Sequence, residues 1–167
     1  WFGARRGTAR FAVFLYAFAV WDIFYYLFLY LLIGWPSTLL EWDLLFLIPV
    51  TWTGPVLAPV INSLTMILLA VVILQADFLR GKATLRFREW ALLITGSLIT
   101  LLTYMLDPAR HLLRKGTSVP PEHALNDYIP VHFNWWLFSL AEILFLLAIY
   151  TYHRRTLQSR PHDHLTT

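Results

Sequence analysis

Four stretches of this chain are each apolar for about the thickness of a lipid bilayer, and that length leaves few folds open. They lie near 11–33, 56–79, 90–106 and 134–152. A bilayer's hydrocarbon core is about 30 Å thick, and a helix rising 1.5 Å per residue crosses it in about 20 residues. Inside lipid every backbone N–H and C=O must find a partner within the protein, which favours helices over any open sheet. Of the 167 residues, 58% are hydrophobic and 14% charged. An average soluble domain is about a quarter charged, and a soluble chain of this size has too little interior to hide so much apolar surface. The expected fold is all-α: a polytopic membrane protein with four transmembrane helices in a single domain over residues 1–167, plus one re-entrant or interfacial outer segment.

The span ends are written in turn and breaker residues. Gly34, Trp35 and Pro36 stop the first span, and Asp107–Pro108 is expected to stop the third. The outer segment, 38–52, carries Glu41 and Asp43 at its start and is short for a crossing. It runs into the string Pro-Val-Thr-Trp-Thr-Gly-Pro-Val-Leu-Ala-Pro-Val over 49–60, whose prolines and glycine break any helix. That string reads as a tight connection into the second span in preference to a broken-helix binding site. A loop over 109–133 joins the third and fourth spans, and a basic, histidine-containing tail over 153–167 is expected to fray.

Charge decides between four crossings and five. With 38–52 left outside, Arg5, Arg6, Arg10, Arg80, Lys82, Arg86, Arg88, Arg154, Arg155 and Arg160 lie on one side, and Arg110, Arg114 and Lys115 on the other. A fifth crossing would erase that asymmetry. The positive-inside rule therefore favours four spans with both termini cytoplasmic, expected in a bacterial cytoplasmic membrane. The net charge of +3 is accounted for by this distribution and gives no reason to expect nucleic-acid binding. The chain begins at Trp1, which leaves upstream residues open. Within it no short apolar segment precedes a small-residue cleavage site.

Two carboxylates interrupt the spans. Asp22 lies near the middle of the first and Glu142 near the middle of the fourth. A charge at that depth costs at least about 2.5–3.5 kcal/mol, so both must face protein or water. Tyr25 and Tyr26 stand at i+3 and i+4 from Asp22, where a phenol could donate to it. No Lys, Arg or His lies at similar depth, so both acids are expected to be neutral and hydrogen-bonded. Asn62 and Thr65 form a polar pair in the second span, and Gly96 and Thr100 a small-xxx-small pair in the third. Such residues commonly serve as packing glue between membrane helices.

Nothing in the sequence assembles a catalytic constellation. Cysteine is absent, which removes disulfides, thiolate metal sites and a cysteine nucleophile. Nucleotide-binding, zinc-protease and serine-hydrolase motifs are absent too. His111, His123 and His132 are weak candidates for an outer-face metal or bis-histidine haem site, without ligand spacing to support them. The cofactor is left unknown. The leading expectation is a non-catalytic subunit or assembly partner of a membrane complex, in contact with the lipid bilayer and with partner proteins or further copies of itself. The first alternative is a proton-coupled transporter or channel-like protein using Asp22 and Glu142. The second is a membrane redox protein or enzyme using the outer histidines.

Overall fold

The computed structural model describes residues 7–47, 51–81, 84–115, 130 and 132–158. It contains four helices, α1 (Gly7–Ile33), α2 (Leu57–Arg80), α3 (Phe87–Lys115) and α4 (Trp135–Gln158). Each is long and apolar enough to cross a membrane. Between α1 and α2 lies an antiparallel hairpin of β1 (Trp42–Phe46) and β2 (Trp52–Pro55).

The helix ends follow from local chemistry. Gly34 takes a left-handed φ of 71°, and its N–H donates to the Tyr30 carbonyl at 2.9 Å, closing α1. Gly81 closes α2 in the same way, bonding to the Asp77 carbonyl. Asn134 caps α4 by accepting the Leu137 N–H at 3.2 Å.

Two boundaries differ from the sequence reading. The third helix does not stop at Asp107–Pro108 but runs on to Lys115, with Pro108 inside it and fully buried. Proline removes one i→i−4 hydrogen bond, yet here its ring fills a packed position, and the helix continues past its apolar band. The outer segment is a hairpin. Trp42 pairs with Pro55, Asp43 with Gly54 and Leu44 with Thr53, with a register irregularity before Phe46. Aromatic and β-branched residues favour extended pairing, and the Phe46 and Trp52 rings meet at 5.0 Å. Glu41 precedes β1. It accepts the Ser37 N–H at 2.6 Å and the Ser37 hydroxyl at 3.0 Å, which hold its carboxyl below the ordinary carboxylate range.

The helices pack in the order α1–α2–α4–α3, and the backbones of α1 and α3 nowhere approach closely. On α1 the buried residues Ala12, Ala19 and Tyr26 recur every seven positions. Small side chains on this stripe let α1 lie close to α2, where Ser63 and Ala70 are fully buried. The core divides in two. One cluster, at the end away from the hairpin, joins Ala12, Leu69, Ile73, Leu93, Ala148 and Tyr152. The other joins Ala58, Tyr104 and Phe138 beneath Trp52 and Phe133 at the hairpin end. A polar layer lies between them.

Candidate functional site

The polar layer is organised by α2, which sends one polar side chain to each of the other three helices. The Ser63 hydroxyl donates to Asp22 Oδ2 on α1 at 2.7 Å. Asn62 Nδ2 donates to the Tyr104 oxygen on α3 at 2.8 Å. The Thr65 hydroxyl donates to Glu142 Oε2 on α4 at 2.7 Å. Helical geometry turns successive residues by about 100°, so Asn62 and Thr65 share a flank while Ser63 and Thr65 point about 200° apart. Asp22 and Glu142 are thus held on opposed flanks of α2. Among the described residues no hydrogen bond links the two carboxyls.

The tyrosine partners expected for Asp22 are placed differently. Tyr26 donates to Asp43 Oδ2 in β1 at 2.8 Å, and Tyr25 is 43% exposed. A phenolic oxygen stands far out from its own helix and overshoots a short acid one turn away, so it reaches the hairpin instead. Asp43 is the site residue that sequence reasoning missed. Its charge was visible, but the hairpin fold that swings it over α1 was not.

Several buried polar atoms in this layer have no hydrogen-bond partner among the described residues: Glu142 Oε1, Asn62 Oδ1, Thr100 Oγ1 and Trp52 Nε1. Each such group costs about 1–3 kcal/mol relative to a satisfied one. Asn62, Thr100 and Trp52 line two adjoining cavities, and Glu142 lines neither. A cavity of about 300 Å³ is lined by Asp22, Asp43, Trp21, Tyr25, Tyr26 and Ser63, among others. A second, of about 340 Å³, is almost wholly apolar and runs between Leu15, Leu69, Leu93, Leu101, Phe145 and Ile149, with Thr100 and Ser97 on one wall. Phe18, Phe46, Trp52, Asn62, Met66 and Tyr104 line both.

The histidines lie apart from this layer. His111 falls within α3, and His132 is exposed just before α4, in a separate recess with Asp107 and Arg110. His123 lies outside the described residues. Among the described residues no group of three or more His, Cys, Asp or Glu is placed to hold a metal.

A test of the acids follows from their partners. Asp22→Asn and Glu142→Gln keep an oxygen to accept from Ser63 and Thr65. Both variants are expected to insert and to unfold within about 1 kcal/mol of the parent. Ser63→Ala removes the only donor to Asp22 among the described residues and is expected to cost about 1–3 kcal/mol in thermal unfolding. Amide variants as damaged as Ser63→Ala would mean that folding itself requires the acid groups and not only an acceptor oxygen.

Comparison with protein-family models, with curated proteins and with solved structures finds no match to this chain.

Proposed function

We propose that this is a non-catalytic integral membrane protein that serves as a subunit or assembly partner of a membrane complex. The observation that carries this reading is the far side of α1. Phe14, Trp21 and Phe28 also recur every seven residues, about 200° around the helix from the buried Ala12, Ala19 and Tyr26. They are 60%, 60% and 54% exposed. An end helix with a second heptad-spaced seam is suited to pack against a further transmembrane helix. A photo-crosslinking residue in place of Phe28 is expected to trap one discrete polypeptide, a further copy or a different subunit. The protein extracted in mild detergent should then migrate above its 19.5 kDa chain mass. A monomer with lipid adducts alone would overturn the reading.

A second reading, a proton-coupled carrier using Asp22 and Glu142, is supported by the cavities beside the polar layer. The separation of the two acids across α2 weighs against a relay passed directly from one to the other.

In either reading the 10-to-3 division of Lys and Arg supports an orientation with both termini cytoplasmic and the hairpin outside. Cysteine is absent from the chain, so single introduced cysteines label cleanly. Thr84→Cys is expected to be shielded from an impermeant reagent applied outside, and Thr117→Cys to react. The reverse pattern would invert the topology, and labelling at both would end the four-crossing arrangement.

A further inference from the structure

We propose that the two adjoining cavities form one binding site for an amphiphilic ammonium ion, with the charged head between Asp22 and Asp43 and the apolar tail along α3 and α4. The head cavity combines two carboxyl groups with the rings of Trp21, Tyr25, Tyr26 and Trp52. Among the described residues no Lys, Arg or His lines either cavity. Acids and aromatic faces without a resident cation are the surroundings an organic ammonium seeks, through charge and through cation–π attraction strengthened by desolvation.

The acceptors are also available. Asp22 receives one hydrogen bond, at Oδ2 from Ser63, which leaves Oδ1 open toward a donor among the described residues. Asn62, which lines both cavities, has a buried Oδ1 that accepts from nothing described. These are acceptors waiting for N–H groups, which favours a primary ammonium over a quaternary one.

The tail cavity is lined mainly by aliphatic and aromatic side chains, with Asn62, Thr65, Ser97 and Thr100 as its polar wall. Each cavity alone is at the lower end of the range for ligand sites, and six residues line both, so that one occupant could lie across the pair. An acidic, aromatic cavity beside an apolar one suits a primary ammonium carried on an apolar chain. A primary ammonium is carried by a free long-chain amine and by the ethanolamine head of phosphatidylethanolamine.

The probe is dodecylammonium, added to the purified full chain in a neutral detergent and followed by native mass spectrometry and tryptophan fluorescence. One saturable adduct per chain is expected, with dodecanol and dodecyl sulfate binding at least tenfold more weakly. Asp22→Asn and Asp43→Asn should each weaken dodecylammonium at least tenfold, and either serves if the other fails to insert. Glu41→Gln, which removes a partly exposed carboxylate at the turn before β1 that lines neither cavity, should change nothing. Equal binding of dodecanol and dodecylammonium, or indifference to both aspartate changes, would overturn the proposal. Nanodiscs with and without phosphatidylethanolamine separate the sources. If the lipid is the occupant it is retained at one per chain and blocks the probe, and if a free amine is the occupant the probe binds equally in both.

Discussion

Glu89→Ala is expected to be the most damaging single substitution at the end of the bundle away from the hairpin. Glu89 is 3% exposed and is the third residue of α3. One oxygen accepts the Arg86 N–H at 2.7 Å, which satisfies a donor at the helix start. The same carboxylate receives Nε and Nη2 of Arg155 from α4, at 2.9 and 2.8 Å. Arg155 also donates to the Thr84 carbonyl at 2.8 Å and lies over the Tyr152 ring. One carboxylate therefore caps α3 and clasps it to the last turns of α4. Breaking a buried pair by removing one partner costs about 3–5 kcal/mol. Arg155 is only partly buried and can rehydrate, which lowers the expectation to about 2–3 kcal/mol. Glu89→Gln should fall between, since an amide oxygen still accepts from Arg86 but carries no charge. Arg154→Ala, whose partner Tyr150 is exposed, should stay within about 0.5 kcal/mol. Thermal unfolding in detergent measures all three. Equal behaviour of Glu89→Ala and Arg154→Ala would mean the clasp contributes nothing.

The contrast between Glu89 and Asp22 shows what a single sequence can convey here. Asp22 stood out because an acid inside a long apolar run has no solvated alternative. Glu89 did not, because the stretch 80–89 carries five charged residues and an acid there reads as a surface residue. Its burial depends on Arg155, 66 positions away, and pairing at that separation leaves no local pattern. The four helices were legible for the same reason as Asp22: lipid imposes length and apolarity on each segment independently of its neighbours. The hairpin over 42–55 was not, since its strands are short and mark no period longer than their own turn. Asn62 was visible as a polar residue in the second span, but its choice of Tyr104 depended on how the helices are ordered in space. The end of α3 was misplaced because Asp107–Pro108 is a strong local stop signal. Burial of Pro108 in tertiary packing overrode it.

Gly54→Val is expected to disrupt the hairpin end about as strongly as loss of the clasp disrupts the other. A Cβ at Gly54 would stand 2.9 and 3.0 Å from the Tyr104 ring and 3.3 Å from the Phe133 ring. The Tyr104 ring can move aside only by giving up its neighbours. Tyr104 is 5% exposed, packs at 5.8 Å from Phe133 and 6.5 Å from Phe138, and accepts from Asn62. The strand cannot retreat either, because Thr53 and Val56 on either side of it are buried. Overpacking of this kind costs about 1–3 kcal/mol, and displacing Tyr104 forfeits its hydrogen bond as well, worth about 1 kcal/mol. The reason for a glycine in the Pro-Val-Thr-Trp-Thr-Gly-Pro string is then close approach of β2 to an aromatic wall, not a turn. Two comparisons make the test specific. Gly7→Val meets nothing within 4 Å and should stay within about 0.5 kcal/mol. Combining Gly54→Val with Tyr104→Ala should cost less than the sum of the two single changes, because the second opens the space the first needs. Strict additivity would show that Gly54 and Tyr104 do not press on each other. If Gly54→Val instead unfolds at the parent temperature, the hairpin is not seated on α3, and Trp52 of β2 does not wall the two cavities.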